Sequence, residues 1–236
     1  MPSDFIIGLC VLQNENYDDI KNVLDLKCYG YVELNWKYTF RGISQDDFNL
    51  KLDNILDDLY KFFNVFSSLP KLVKLPREAL QHLELPKFQH ILKIIKENDS
   101  GLIIANSKKI RVPPSRVSGR NPCELNQGVI VGEHLFLETF NYLRLLSFIR
   151  ESSQNIPELV ASGGIVDIGS FIDAIAAGAN GVQLCTALDL WGVYVIEWFR
   201  EQLQTLCEKF GSFEEFKNSI RSSPETWHNI IISAHN

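Results

Sequence analysis

Two glycine-containing turns carry the residues that could do chemistry. The first spans residues 161–165 and reads Ala-Ser-Gly-Gly-Ile, and the second spans 178–188 and contains Gly-Val-Gln-Leu-Cys-Thr-Ala. Each turn is predicted to join an apolar strand to a helix. Glycine lets the backbone approach a ligand closely, and a helix N-terminus presents unpaired N–H groups to an anion. The two turns together predict a phosphate cradle, although Gly163 and Gly164 alone are also compatible with a simple tight turn.

The elements that must hold these turns alternate between strand and helix. Short, continuously apolar runs between helical patterns are typical of parallel strands buried on both faces. The predicted strands are 5–12, 30–35, 71–75, 101–106, 158–162 and 181–185. The predicted helices are 16–26, 48–66, 88–96, 136–149, 168–177 and 188–210. This order indicates an α/β fold of the (β/α)8 TIM-barrel type with about six βα units, in a single domain over 1–236.

One long segment, 107–132, has no predicted element. It contains three prolines and several glycines. A loop of this length inside a compact domain usually has a function or is poorly ordered. We therefore expect it to form a binding loop or a lid, or to be poorly ordered.

Composition narrows the class of protein. The chain has 236 residues with 45% hydrophobic and 22% charged residues, and its net charge is −6. These values are close to those of ordinary globular domains and unlike those of disordered or collagen-like chains. A mildly acidic chain is also a poor match for nucleic acid, which is bound through basic surfaces. We expect no nucleic-acid partner.

The cysteines and the hydropathy pattern predict a cytoplasmic location. The odd, scattered set lacks the spacing of a disulfide framework or a zinc site. Its members are Cys10, Cys28, Cys123, Cys185 and Cys207. We find no signal-peptide pattern after Met1 and no uninterrupted apolar run of about 18 residues. We therefore expect no membrane contact and no metal.

Several strand ends resemble, in order, the motifs of one enzyme family. The matching segments are 32–35 (Val-Glu-Leu-Asn), 72–76 (Leu-Val-Lys-Leu-Pro), 104–107 (Ile-Ala-Asn-Ser), 127–135, the two glycine turns, and 211–220. This series resembles the FMN-dependent dihydroorotate dehydrogenase (DHODH) family over nearly the whole chain. The resemblance implies a flavoprotein oxidoreductase of pyrimidine biosynthesis with FMN as its cofactor.

The resemblance also implies which residues hold the cofactor. Gly163, Gly164 and Thr186 would bind the FMN phosphate through backbone N–H groups and a hydroxyl. Cys185 stands in this loop where the family usually has glycine. Gly132 belongs to the segment that resembles the family's glycine-rich flavin loop.

Four further residues are implied at the substrate side of the site. Lys74 would lie at the pyrimidine edge of the flavin, where a cation stabilises the negative charge of reduced flavin. Asn35, Asn106 and Ser107 would hydrogen-bond the substrate, as polar residues at strand ends do in barrels. Their alternative interpretations are a solvent-facing lysine and simple capping of strand ends.

The segment after Asn35 departs from the family pattern. The family places a Cys or Ser base three residues after this Asn, where the present chain has Tyr38. An ordinary tyrosine, with a pKa of about 10, is a poor base near neutrality, although Lys37 could lower that pKa. Phe40 replaces an Asn that binds substrate. Tyr38 is nevertheless the candidate catalytic base, together with Lys74 as a catalytic residue.

Counting strands back from the phosphate turns makes 5–12 the third strand of a barrel. The first two βα units then have no counterpart in the chain. Three interpretations follow: an active DHODH-like enzyme, a degenerate relative that binds FMN or another phosphorylated ligand, or a chain that needs a complementing partner. Cytosolic members of the family commonly form dimers, so a homodimer is also possible.

Overall fold

A computed structural model of the chain describes residues 8–12, 16–23, 28–36, 45–77, 80, 84–105, 107–111, 127–152 and 155–222. The chain divides into two compact units. Unit 1 comprises Met1–Asn106 and Ile149–Leu159, and unit 2 comprises Ser107–Phe148 and Val160–Asn236. Each unit is described separately below.

Unit 1 is built from parallel strands with helices between them. Its described strands are β1 (Gly8–Leu12), β2 (Tyr31–Asn35), β3 (Lys71–Lys74) and β4 (Ser100–Ile104). Its described helices are α1 (Tyr17–Val23), α2 (Gln45–Val65) and α3 (Leu85–Glu97). Each strand pairs in parallel with the next strand along the chain. This is the arrangement that successive βα units produce.

The side chains of these strands explain why they form a buried sheet. Leu102, Ile103 and Ile104 in β4 are all fully buried, so this strand is covered on both faces. In β2 the residues Val32 and Leu34 are buried on one face. Successive side chains of a strand point to opposite faces, so the odd-numbered residues of β2 share the other face.

An aromatic cluster holds α1 against α2. Helical spacing places Leu59, Phe62 and Phe66 of this region on one face, where all three are buried. The Tyr17 ring of α1 lies 6.0 Å from the Phe62 ring and 6.1 Å from the Phe66 ring, in edge-to-face geometry. The Tyr17 hydroxyl donates a hydrogen bond to Asp58 at 3.0 Å, so the polar end of this buried side chain is satisfied.

Unit 2 contains the remaining elements, two of which, α4 and β7, are shared at their ends with unit 1. The strands are β5 (Lys108–Arg111), β6 (Gln127–Ile130), β7 (Leu159–Ser162) and β8 (Gly181–Gln183). The helices are α4 (Phe136–Ser152), α5 (Ile168–Ala176), α6 (Thr186–Trp191), α7 (Tyr194–Phe210) and α8 (Phe213–Ser222). Helix α5 begins at a capping box in which Asp167 accepts from the Ser170 N–H at 2.7 Å.

The strand order confirms the predicted fold class. Six strands form one sheet in the order β1-β2-β3-β4-β7-β8, and β5 and β6 form a separate antiparallel pair. The sheet strands follow chain order, are parallel and have helices between them. The chain is therefore an α/β protein of the incomplete TIM-barrel type with about six βα units.

Two sequence-based expectations were wrong in detail. The predicted helix 188–210 is two helices, α6 and α7, which separate at Gly192. Gly192 has φ +67°, a left-handed conformation that glycine adopts readily. The segment 107–132 is not wholly irregular, because it contains the hairpin strands β5 and β6. In the described part of the chain, no helix is both long and apolar enough to cross a membrane.

Candidate functional site

In unit 1 four polar side chains of β1, β2 and β3 lie on one face of the sheet. Asn35 is aligned with Lys74 across the two strands, and Cys10 of β1 is aligned with Glu33. Aligned residues on paired strands point to the same side of a sheet. Cys10, Glu33, Asn35 and Lys74 therefore share one face, opposite the buried Val32.

An ion pair between Lys74 and Glu33 lies on this face. The Lys74 ammonium lies 3.8 Å from Oε1 of Glu33, and the two side chains are only 16% and 7% exposed. The Cys10 thiol is within 4.0 Å of the same carboxylate oxygen as a donor. Lys74 is thus a poorly solvated cation with a carboxylate beside it. This contradicts the alternative that Lys74 simply faces solvent at a strand end.

Tyr31 lies on the same face, two residues before Glu33 in β2. A Cβ atom at Gly8 would lie 2.1 Å from the Tyr31 ring, so the ring occupies the space that any side chain at position 8 would need. Burial raises the pKa of the Tyr31 phenol, and the nearby Glu33 and Cys10 raise it further. Tyr31 consequently stays protonated and neutral at physiological pH.

In unit 2 the turn after β7 packs directly against the start of α4. Gly163 and Gly164 both have positive φ values, +101° and +87°. A Cβ atom at Gly164 would lie 2.4 Å from the backbone nitrogen of Phe136. The buried Thr139 hydroxyl lies 3.0 Å from the carbonyl of Gly163 and 3.3 Å from that of Ser162. The glycine pair therefore serves a close backbone approach as well as a tight turn.

The second predicted turn also meets the segment before α4. Gly132 has φ +84°, and a Cβ atom there would lie 3.3 Å from Cγ2 of Thr186. Thr186 is the first residue of α6, and Cys185 is its exposed N-cap residue, whose side chain makes no capping hydrogen bond. Since the Leu135 N–H donates to the Gly132 carbonyl at 3.0 Å, this loop runs straight into α4.

The residues of this unit 2 cluster fit a phosphate group. Gly132, Gly163, Gly164 and Thr186 come from three segments that meet around the start of α4. Backbone N–H groups free of Cβ atoms and a threonine hydroxyl are the donors that phosphate sites use. A Cβ atom at position 132 would lie 3.3 Å from the Thr186 methyl group and 3.8 Å from its hydroxyl oxygen, so Gly132 and the hydroxyl are neighbours. The cluster thus combines glycine backbone with one threonine hydroxyl.

The other predicted site residues fall into two groups. Asn35 and Ser107 are described and half-buried, and both make polar interactions within the structure. Tyr38 and Asn106 lie outside the described residues, as does Phe40. In the described ranges no group of three or more His, Cys, Asp and Glu side chains is arranged to hold a metal ion.

Sequence reasoning missed Glu33 and Thr139. An acidic residue inside the apolar run of β2 was a usable signal, because a buried carboxylate requires a partner. Thr139 gave no such signal, since a threonine near a helix start is common.

Sequence reasoning also missed a pocket of about 500 Å³ in unit 2, which is lined by Val166, Asp167, Trp191, Tyr194, Val195 and Trp198. None of the predicted site residues lines it.

Comparison with known proteins supports the fold. No family model matches the sequence, and no curated protein matches it. Among solved structures the chain is similar to DHODH from Eimeria tenella in complex with ferulenol, with a TM-score of 0.57 and 17% sequence identity. The match covers 93% of this chain and 62% of that chain, so this chain spans less than two thirds of that protein's length.

The fold and the comparison together define a class. The chain is an α/β protein of the incomplete TIM-barrel type. More specifically, it has a DHODH-like fold, as the sequence resemblance predicted. At 17% identity the likeness shows the fold alone, so activity and ligand are matters for proposal.

Proposed function

We propose that the chain binds FMN and acts as a cytoplasmic, flavin-dependent oxidoreductase that resembles dihydroorotate dehydrogenase and converts dihydroorotate to orotate. The observation that carries the proposal is that, within unit 2, the turn after β7 packs on Phe136 while Gly132, four residues before Phe136, lies against Thr186. These are the segments that the family resemblance assigns to the FMN phosphate. The DHODH-like fold supports the same assignment.

The phosphate would be held in unit 2. Gly163 and Gly164 would donate backbone N–H groups, and Thr186 would donate its hydroxyl. The positive φ values of the two glycines and of Gly132 turn the chain at positions that carry no Cβ atoms. Cys185, exposed at the N-cap of α6, would place its side chain next to the phosphate-binding Thr186.

Lys74 would supply the positive charge. FMN, when bound, would supply the electron-accepting ring, and a nearby cation stabilises the anionic reduced form. In unit 1 the Lys74 ammonium is only 16% exposed, so water screens its charge weakly. Asn35, Asn106 and Ser107 would orient a flat, carboxylated substrate through hydrogen bonds, and Tyr38 would accept the substrate proton.

A second candidate function is binding without turnover. The sequence supports it, because Tyr38 stands in place of the family's Cys or Ser base and Phe40 in place of a substrate-binding Asn. A site built for a polar substrate discriminates strongly when one hydrogen-bond partner is missing. This candidate is a degenerate relative that binds FMN or another phosphorylated ligand; a chain that needs a complementing partner is a separate alternative, and either could form a homodimer.

The experiment that separates these functions combines a flavin titration with an activity assay. FMN fluorescence and the absorbance of bound flavin report binding, and orotate formation from dihydroorotate reports turnover. Saturable FMN binding with orotate formation supports the enzyme, whereas binding without orotate supports the second candidate. A chain that binds no added FMN contradicts the enzyme and leaves the second candidate only with another phosphorylated ligand, which inorganic phosphate binding tests.

Matched variants locate the binding site. Thr186→Val removes the hydroxyl with little change in volume, and we expect a loss of about tenfold in FMN affinity, as for one charge-assisted hydrogen bond. Gly192→Ala is the control, since Gly192 follows the opposite end of α6 and a Cβ there would meet no atom within 4 Å. Equal FMN affinity in the Thr186→Val variant and the wild type would contradict the assignment of the phosphate site.

A further inference from the structure

Glu33 is a charged residue in an otherwise apolar strand. Its neighbours in β2, Val32 and Leu34, are buried, and Glu33 itself is 6% exposed. Burying a carboxylate without compensation is costly, so such groups are paired with a cation or hydrogen-bonded. The Lys74 ammonium, 3.8 Å from Oε1 of Glu33, provides an opposite charge.

The strand register shows where this pairing holds Lys74. Lys74 is aligned with Asn35, whereas Glu33 lies two residues earlier in β2. Two residues correspond to about 6–7 Å along a strand. The Lys74 and Glu33 side chains together span this offset, so the ion pair crosses from β3 to β2 on their shared face.

The two other described groups beside Glu33 carry no positive charge. The Cys10 thiol reaches Glu33 only at 4.0 Å and is a weak donor. The phenol of Tyr31 faces the same region, and its raised pKa keeps it neutral. Among these described neighbours, Lys74 is the cation.

We propose that Glu33 is a positioning residue for Lys74: its buried carboxylate fixes the ammonium on the face of the β2–β3 pair opposite Val32, where the ammonium is presented to an anionic ligand. The inference rests on the proposed function only for the identity of that ligand, the flavin. The positioning itself is a property of the two side chains and is testable without FMN.

The test measures how fast the Lys74 amine is acetylated by an N-hydroxysuccinimide ester, site by site, with mass spectrometry of the full chain. In Glu33→Gln the lysine loses its charged partner and gains freedom to reach solvent, so we expect its acetylation to accelerate by about threefold or more. Glu33→Asp keeps the charge but shortens the reach, and we expect an intermediate rate.

Glu214→Gln is the matched control. Glu214 pairs with Lys217 at 2.6 Å, and Lys217 is 11% exposed. This variant is expected to accelerate acetylation of Lys217 and to leave Lys74 unchanged. An unchanged Lys74 rate in Glu33→Gln, with the Lys217 response present in the control, would overturn the proposal. If Glu33→Gln does not fold, an unchanged Lys74 rate in Glu33→Asp overturns it in the same way.

A second arm connects the positioning to the ligand. Saturating FMN is expected to slow acetylation of Lys74 in the wild-type chain and to protect it less in Glu33→Gln. Failure of the wild-type chain to bind FMN would contradict the proposed function, while the acetylation rates without FMN would still decide the role of Glu33. Equal protection by FMN in both chains would overturn the role of Glu33 in presenting Lys74 to the ligand.

Discussion

The hydroxyl of Thr139 lies 3.0 Å from the carbonyl oxygen of Gly163, 24 residues away in sequence. The same hydroxyl lies 3.1 Å from the Leu135 carbonyl one helical turn earlier and 3.3 Å from the Ser162 carbonyl. Thr139 is completely buried. One side chain thus connects the first turn of α4 to the turn after β7, which is the turn proposed to bind phosphate.

Replacement of Thr139 by valine tests this connection. The change keeps the side-chain volume but leaves buried carbonyl groups with one donor fewer. We expect the free energy of unfolding to fall by about 1–3 kcal/mol, the cost of an unsatisfied buried polar group. Urea denaturation followed by circular dichroism measures it. The control is Thr205→Val, because the exposed Thr205 makes a similar bond to the Glu201 carbonyl at 3.0 Å. A fall of equal size in both variants would refute the connecting role of Thr139.

The variants Gly164→Ala and Gly192→Ala distinguish two reasons why a position requires glycine, namely a positive φ and a close contact with another segment. Both residues have positive φ, but a Cβ at Gly164 would lie 2.4 Å from the Phe136 nitrogen, whereas a Cβ at Gly192 would meet nothing within 4 Å. We expect Gly192→Ala to cost about 1 kcal/mol from backbone strain alone. Gly164→Ala must also displace α4, so we expect a loss of more than about 3 kcal/mol or failure to fold.

Thermal and urea unfolding of these two alanine variants provide the measurement. The difference between them isolates the close approach of the turn to α4, since the φ penalty is common to both. Equal destabilisation of the two variants would mean that the turn after β7 can move away from α4 at little cost in free energy. The close packing at position 164 would then not explain why that residue is glycine.

The strands of the sheet could be predicted because the apolar pattern within each short segment is enough to identify it as a strand. Runs such as Leu102–Ile104 are apolar on both faces, and this pattern is specific to buried parallel strands. The break at Gly192 could not be predicted in the same way, because the apolar helical pattern continues across it from α6 into α7. A glycine within a helical pattern is tolerated in many helices, and its positive φ is set by tertiary packing.

The candidate site was only partly predictable for a similar reason. The resemblance named Gly163, Gly164 and Thr186, but nothing in their spacing indicates that Gly132 lies against Thr186. That contact depends on where α4 packs. The hairpin β5–β6 was missed because its strands are four residues each and far apart in sequence, and neither contains a long apolar run.

The raised pKa of Tyr31 predicts a loss of stability at high pH. Burial, followed by Glu33 and Cys10, disfavours the phenolate in the folded protein, while the unfolded chain ionises near the ordinary value of about 10. The contribution is fully present below that pH and is lost as pH rises toward the folded pKa, because only the unfolded state then gains the favourable ionisation. We expect the wild-type free energy of unfolding to decline above about pH 9.5 more steeply than that of Tyr31→Phe.

Urea unfolding between pH 8 and pH 11, an interval centred near the ordinary tyrosine pKa of about 10, measures this difference. Tyr60→Phe is the control, because Tyr60 is 46% exposed and its replacement removes a tyrosine without removing the buried phenol. Parallel pH profiles for the wild type and Tyr31→Phe would show that the phenol ionises alike in the folded and unfolded states.

Arg221 of α8 is predicted to hold the end of α5. Its Nε donates to the Ile175 carbonyl at 3.2 Å and its guanidinium donates to the Ala179 carbonyl at 2.6 Å. Ile175 lies in the last turn of α5, where backbone carbonyls carry partial negative charge, and Ala179 lies three residues after the helix end, so the guanidinium ties this end to α8. Because hydrogen bonds to charged groups are strong, we expect Arg221→Met to lower the free energy of unfolding by about 1.5–3 kcal/mol.

Arg200→Met is the control for the Arg221→Met variant. Arg200 pairs with Glu197 on the exposed surface of α7, where its side chain is 70% exposed. Exposed pairs contribute little, so we expect a change below about 0.5 kcal/mol in urea unfolding. Since both variants remove one positive charge and keep a long apolar side chain, a larger loss for Arg221→Met reports the two carbonyl contacts. Losses of equal size would assign the effect to net charge and contradict the capping role.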